Sequence, residues 1–131
     1  MTMKQLKSKI KVTVEKTDTG FSAYANDYAV FTTGNTLTEL RTNMVEAMNL
    51  HYEEKNVIVS PDNIDLKIDL KQFFSYYRVL NTNYLANRIN MNKTLLSQYV
   101  NGKKKPSTKQ TLKIMKGVNE IGKELSEINI I

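Results

Sequence analysis

The chain has 131 residues, no cysteine and a formal net charge of +6, a length that allows one ordinary domain or two small ones. The lack of cysteine excludes a disulfide scaffold, a cysteine-ligated metal site and a cysteine nucleophile. No apolar run approaches the ~20 residues of a membrane span, and no apolar signal core follows the basic N-terminus. We therefore expect a cytoplasmic protein with no cofactor and no membrane partner.

Charge is distributed unevenly along the chain. Residues 1–68 carry 8 basic and 9 acidic side chains, a net charge of −1, whereas residues 69–131 carry 11 basic and 4 acidic ones, a net charge of +7. From Leu70 to Asn119 there are ten Lys and Arg and no Asp or Glu. Such an acid-free basic region is the electrostatic footprint of a polyanion binder. We therefore predict two domains, at 1–68 and 69–131.

The first half has the pattern of a sheet with short turns. Residues 1–8 are polar and are expected to be frayed. At residues 17–20 the sequence TDTG predicts a hairpin turn in which Gly20 supplies a positive φ. Alternating apolar and polar residues predict four strands, at 9–15, 21–25, 29–33 and 64–70.

One helix is predicted between the third and fourth strands. Thr36 and Glu39 have the spacing of a capping box at its start. An apolar stripe follows, and the helix is expected to run to about Glu54. The stripe consists of Leu37, Leu40, Met44, Ala47, Met48 and His51, with Val45 and Tyr52 at its edges. The order β-β-β-α-β predicts a helix packed on one face of the sheet. The single histidine, His51, is interpreted as a structural residue at the edge of this helix.

Residues 82–105 predict a helix-turn-helix. The small side chain of Ala86 lets the second helix cross closely over the first. Asn90 suits a left-handed turn position, since asparagine visits that region readily. Asn92 suits the N-cap of the second helix. In this motif the second helix is presented to the major groove of DNA. A plain helical bundle with a solvated basic face is the alternative interpretation.

The outward positions of the second helix and the loop after it carry the candidate DNA contacts. Asn and Gln can pair with adenine, Ser and Thr can contact several bases, and Lys reaches guanine or phosphate. The lysine triplet is expected to bind the phosphates of the DNA backbone. The alternative is a loop whose lysines only keep the protein soluble. The candidate DNA-binding residues are Asn92, Lys93, Thr94, Ser97, Gln98, Asn101, Lys103, Lys104 and Lys105.

A long last helix is predicted to begin at Ser107 or Thr108, after Pro106. Its apolar side and the tail at 129–131 offer more apolar surface than one small domain needs. We therefore expect a homodimer or a higher homo-oligomer formed through the C-terminal half. The residues assigned to the apolar side are Leu112, Met115, Val118, Ile121, Leu125 and Ile128.

Two stretches resemble a known family. The sequences GFSAYA at 20–25 and FTTGNT at 31–36, followed by Glu39 and its helix, resemble the N-terminal domain of HicB antitoxins. The sequence LLSQYVNGKKKPS at 95–107 resembles the repressor-type helix-turn-helix fused to one branch of that family. The resemblance covers almost the whole chain. One departure is NDYAV at 26–30, where the family usually has a proline before the aspartate and a short Pro-Gly element after it.

The resemblance implies an α+β protein with a partial ribonuclease-H-like N-terminal domain and an all-α helix-turn-helix domain. It implies a type II antitoxin, not an enzyme. The N-terminal domain would cover a HicA-like toxin, which is a small basic ribonuclease that cleaves messenger RNA. The C-terminal domain would bind the operator, as double-stranded DNA, and repress its own operon.

Two rival functions share parts of this pattern. A stand-alone helix-turn-helix repressor without a toxin partner shares every DNA-binding feature. An enzyme of the ribonuclease-H type needs several carboxylates around two metal ions. The candidates for that chemistry are Glu15, Asp18 and Asp27, and nothing in the sequence predicts that they converge.

Overall fold

The computed structural model describes residues 3–129. Over that range the protein is an α+β structure with five α-helices and two β-sheets. The chain divides into two compact units, one ending at Asp69 and the other beginning at Leu70. The first unit contains every strand and one α-helix, and the second contains the other four α-helices. No helix of residues 3–129 is both long and apolar enough to span a bilayer.

The N-terminal unit has a main sheet and a small one. The strands are β1 (Lys4–Gln5), β2 (Ile10–Lys16), β3 (Phe21–Ala25), β4 (Phe31–Gly34), β5 (Val57–Ile58) and β6 (Ile64–Ile68). The main sheet has the order β4-β3-β2-β6, in which β2 and β6 run parallel and the other neighbours are antiparallel. The four strands predicted from the alternation lie in this sheet, but the third begins at Phe31 and not at Ala29, and the fourth ends at Ile68, because Leu70 already begins a helix.

The small sheet corrects the expectation that residues 1–8 are frayed. Strand β1 pairs in parallel with β5. The backbone amides of Lys4 and Leu6 donate to the carbonyls of Asn56 and Ile58, both at 2.8 Å. A two-residue strand carries too little alternation to be visible in the sequence, and its partner lies some fifty residues away. The pairing therefore could not be read from local pattern.

The helix α1 (Leu37–His51) covers one face of the main sheet. Thr36 caps it as predicted, because its side-chain oxygen accepts from the backbone amide of Glu39 at 3.1 Å. Leu40, Met44 and Met48 are fully buried at four-residue spacing, with valines and alanines of β2 and β3 in the same core cluster. The helix ends earlier than predicted, and a short 3₁₀ turn at Glu53–Lys55 leads into Asn56, which takes a left-handed φ of 54°.

Gly20 is needed for a reason other than the predicted one. Among the described glycines only Gly102 has a positive φ, of 75°. A Cβ on Gly20 would lie 2.4 Å from the carbonyl oxygen of Gly34 in the neighbouring strand segment. A Cβ on Gly34 would lie 2.6 Å from the backbone nitrogen of Leu40. Both glycines therefore allow backbone segments to approach closely, which any side chain would prevent.

The C-terminal unit consists of four helices: α2 (Leu70–Tyr76), α3 (Thr82–Arg88), α4 (Lys93–Val100) and α5 (Thr108–Ser126). Ser107 caps α5 by accepting from the amide of Gln110 at 3.1 Å. Every helix contributes to the buried core. The buried side chains are Leu70, Phe73, Phe74, Leu85, Ala86, Met91, Leu96, Tyr99 and Ile114.

The predicted apolar side of α5 is wrong in part. The buried residues of α5 are Ile114 and Gly117, and neither was assigned to that side. Leu112 lies exposed. Steps of three residues fall short of the 3.6 residues of a helical turn, so a stripe that continues in threes rotates away from the core. The tail residues Ile130 and Ile131, predicted to pack on a partner, lie outside the described residues.

Candidate nucleic-acid interface

The turn between α3 and α4 is built by two asparagines. Asn90 has a left-handed φ of 58°. Its backbone amide donates to the carbonyl of Asn87 at 3.2 Å, and the amide of Met91 donates to the carbonyl of Ala86 at 2.9 Å. This pair of bonds is the Schellman motif that closes a helix, with asparagine in the place usually held by glycine. The prediction for Asn90 is confirmed.

Asn92 then starts the next helix. Its side-chain oxygen accepts from the backbone amides of Thr94 at 2.8 Å and Leu95 at 3.1 Å. These bonds satisfy two of the four amides that a helix N-terminus leaves without an intrahelical partner. The predicted capping role is therefore confirmed. Because Oδ1 already accepts both of these bonds, the side chain of Asn92 stabilises the start of the helix and is less available to contact a base.

Packing fixes which side of α4 faces outward. Leu96 is fully buried and Tyr99 is buried, and α4 contacts both α2 and α3. Ala86 of α3 is also fully buried, as expected for the small residue at a close crossing. With one side of α4 held in the core, the polar residues on the other side are turned to solvent.

Six of the nine predicted DNA-binding residues line a single open concavity of about 360 Å³. They are Lys93, Thr94, Ser97, Gln98, Asn101 and Lys103. Lys104 and Lys105 lie exposed in the loop that follows. Gln98 is half-buried and the other five lining residues are exposed. The concavity therefore presents amide, hydroxyl and ammonium groups, which are the groups that read base edges and phosphates.

Asn83 also lines this concavity, and the sequence analysis missed it. It lies in the first turn of α3, not on α4, and it is exposed. Its place follows from the crossing of the two helices. The signal that could have found it is the short polar run at the start of the first helix, because the first helix of a helix-turn-helix crosses the DNA backbone.

Two side chains of the concavity are already linked. The Nδ2 of Asn101 donates to the Oγ of Ser97 at 3.2 Å, one helical turn away. This bond restricts the rotation of Asn101 and leaves its Oδ1 as an acceptor. A side chain held in this way loses less conformational entropy when it binds.

The end of α4 places the lysine loop. Gly102 has a φ of 75°, a conformation that strongly favours glycine. The amides of Lys103 and Lys104 both donate to the carbonyl of Gln98, at 2.9 Å and 3.2 Å. A second Schellman-type closure therefore ends the helix, and the three exposed lysines follow immediately after it, with Lys103 in the lining of the concavity.

The acids of this unit are confined to one end. Glu120, Glu124 and Glu127 all belong to the last turns of α5 or its C-cap, and Glu124 forms an ion pair with Arg88. None of the residues that line the concavity is acidic. A basic surface with no local anions attracts phosphate without internal competition.

The N-terminal unit carries an aromatic cluster and an exposed aromatic pair. Tyr52 donates a hydrogen bond to the hydroxyl of Tyr28 at 2.7 Å, and both rings meet His51 edge to face. Burial, followed by the contact with Tyr28, raises the pKa of Tyr52 to about 12. Tyr24 and Phe31 are cross-strand partners, and both are exposed.

The candidate carboxylates of the rival enzyme lie at separate places. Glu15 belongs to β2, Asp18 to the hairpin turn after it, and Asp27 to the turn between β3 and β4. Within residues 3–129 no three side chains of the metal-binding types (His, Cys, Asp and Glu) gather at one point.

Known proteins offer no direct guide to this chain. No family model, no curated protein and no solved structure matches it. Its function is therefore argued from the residues that the fold brings together.

Proposed function

We propose that this protein is an autorepressing antitoxin of the HicA–HicB type. Its C-terminal unit binds operator DNA through α4, and its N-terminal unit covers a HicA-like ribonuclease toxin. The proposal depends above all on one observation. Six polar or basic side chains of α4 and its following loop share one concavity with Asn83, next to a helix-turn-helix turn.

The chemistry of that concavity supports double-stranded DNA as the ligand. Gln98 and Asn101 carry amides that can pair with adenine through two hydrogen bonds. Ser97 and Thr94 offer hydroxyls that accept or donate. Lys103 also lines the concavity, and its ammonium group can bind a phosphate when the helix enters a major groove. In this proposal, the amide and hydroxyl side chains contact the bases, and the lysine contacts the DNA backbone.

The element order of the N-terminal unit supports the second half of the proposal. When the small β1–β5 sheet is set aside, three antiparallel strands, a helix and a parallel fourth strand follow in the chain, which is the order that the resemblance to HicB implies. The motif GFSAYA forms β3, and FTTGNT forms β4 and the cap of α1. We infer a partial ribonuclease-H-like domain that binds a protein.

An exposed aromatic pair supports a protein partner for this unit. Ala23 and Ala25 are buried in the core beside α1, so the alternation of β3 turns Tyr24 to the opposite face. Phe31 is its cross-strand partner and lies even more exposed. Two adjacent exposed aromatic side chains are typical of an interaction surface, because aromatic residues are enriched at protein interfaces.

The experiment uses the full-length protein and the DNA upstream of its own gene. We expect a gel shift that survives competition by unrelated duplex DNA. We also expect that co-expression rescues cells from the product of a short basic reading frame beside the gene. Specific binding without any rescue would favour the stand-alone repressor. Equal binding to all duplexes together with no rescue would refute the proposal.

A further inference from the structure

A side chain from another helix lies against the end of α4. A Cβ on Gly102 would lie 3.0 Å from Cδ of Lys71 and 3.8 Å from both its Cγ and its Cε. The aliphatic stem of Lys71 therefore runs across Gly102. Lys71 belongs to the first turn of α2, which lies outside the helix-turn-helix formed by α3 and α4. The fold thus brings a basic residue from a distant part of the chain to the start of the lysine loop.

The packing of α2 sets the position of Lys71. Leu70, Phe73 and Phe74 are buried, and α2 packs against α4. Lys71 lies between these core residues in the sequence but is itself exposed. A lysine in such a place lays its stem along neighbouring atoms and keeps its ammonium group in water. Because Nζ is one bond beyond Cε, the ammonium of Lys71 is held at the surface near Gly102.

This position borders the concavity of α4. Gly102 is flanked in the chain by Asn101 and Lys103, and both of these residues line the concavity. Lys71 does not line it. The stem of Lys71 therefore passes the edge of the concavity, outside the part whose amides and hydroxyls are proposed to read bases.

Charge indicates the ligand of this edge. Lys71 adds a fourth exposed ammonium to those of Lys103, Lys104 and Lys105. Within residues 3–129 none of these four lysines forms an ion pair. Like charges held on one surface repel each other, and a bound anion relieves that repulsion. A DNA strand presents phosphates one after another, so it can neutralise several of these lysines at the same time.

We propose that Lys71 completes a phosphate-binding site at the end of α4, in which α2 and the lysine loop together hold the DNA backbone. This inference rests on the proposed function and adds to it a contact from a helix outside the helix-turn-helix. It also gives Gly102 a second role. Besides allowing the positive φ, the missing side chain leaves room for the stem of Lys71.

The test separates the charge of Lys71 from its packing. Lys71→Gln removes the charge and keeps much of the stem, whereas Lys71→Arg keeps both. Lys123→Gln is the matched control, because Lys123 is an exposed lysine in the last turns of α5, next to Glu124. Binding of the full-length proteins is measured by fluorescence anisotropy over a range of salt concentration. The probes are a duplex from upstream of the gene and an unrelated duplex of the same length, and circular dichroism checks the folding of each variant.

The informative quantity is the slope of the logarithm of the binding constant against the logarithm of the salt concentration. Each neutralised phosphate contributes about 0.9 to this slope. Lys71→Gln should therefore reduce the slope by about 0.9 on both duplexes, while Lys71→Arg and Lys123→Gln should keep the slope of the wild type.

Weaker binding by Lys71→Gln with an unchanged slope would limit Lys71 to a packing role and would overturn the inference. An equal reduction of the slope in Lys123→Gln would overturn it as well. If the wild type binds both duplexes equally and Lys71→Gln still reduces the slope, operator recognition is refuted and this inference stands. A wild type that binds neither duplex would overturn both.

Discussion

The contact between α5 and α3 can be tested by adding a single methyl group at Gly117. Gly117 is buried, and a Cβ at that position would lie 2.3 Å from Cγ2 of Ile89 and 3.3 Å from Cδ1 of Leu85. Ile89 is the C-cap of α3. Because isoleucine is β-branched, rotation about its χ1 is restricted, and its Cγ2 methyl cannot easily move away. Replacing Gly117 by Ala must therefore displace α5 or the turn.

Two effects of opposite sign set the magnitude. Overpacking a close contact costs about 1–3 kcal/mol. Replacing glycine by alanine inside a helix gains about 1 kcal/mol. We therefore expect Gly117→Ala to lower the free energy of unfolding of the C-terminal unit by about 0–2 kcal/mol.

Gly122 supplies the control on the same helix. A Cβ there meets nothing within 4 Å, so Gly122→Ala should raise the free energy of unfolding by about 0.5–1 kcal/mol. Amide hydrogen exchange measured by NMR gives the free energy of unfolding of the C-terminal unit separately from that of the N-terminal unit. If Gly117→Ala stabilises the unit as much as Gly122→Ala, then α5 does not lie against Ile89 as described.

Three further outcomes are expected. Asn92→Ala should lower the stability of the C-terminal unit by about 1 kcal/mol in hydrogen exchange, because two capping bonds are lost, while Asn92→Asp should keep them. The pKa of Tyr52 is about 10 in the unfolded chain and about 12 in the folded protein. The protonated hydroxyl of Tyr52 therefore stabilises the fold fully below pH 10, and this stabilisation is lost as the pH rises from 10 to 12. Tyr52→Phe should remove that loss in urea unfolding. Phe31→Ala should weaken rescue from the toxin, whereas Leu50→Ala, at an exposed position of α1, should not.

Each of these outcomes has a contrary result. Equal stability of Asn92→Ala and Asn92→Asp would show that the cap is not formed in solution. An unchanged loss of stability above pH 10 in Tyr52→Phe would assign that loss to another group. Equal rescue by Phe31→Ala and Leu50→Ala would place the toxin contact away from the open face of the sheet.

Features set by neighbouring residues could be predicted from the sequence. The turn at Asn90 and the cap at Asn92 depend on the conformation and side chains of only a few consecutive residues. The core side of α1 was predicted in part: Leu40, Met44 and Met48 repeat at helical spacing and are buried, but Leu37 and His51, assigned to the same stripe at the two ends of the helix, are exposed. Local periodicity is the strongest signal that a single sequence carries.

Features set by distant residues could not be predicted. The pairing of Lys4 with Val57 joins parts of the chain that no local pattern relates. The need for Gly20 comes from the backbone of Gly34, which is brought near only when the sheet forms. In the candidate site, Asn83 reaches the concavity only through the crossing of α3 and α4. Tertiary contacts decided each of these positions.

The central claim is that α4 reads DNA bases while the loop after it holds the backbone. The most direct measurement compares Gln98→Ala with Lys104→Ala for binding to the operator and to unrelated duplexes over a range of salt concentration. Gln98→Ala should cost about 1–3 kcal/mol on the operator and relax the preference at one base pair, with little change on other DNA. Lys104→Ala should weaken all duplexes alike and reduce the salt dependence by about one phosphate contact. An equal loss of specificity from both variants would contradict the account.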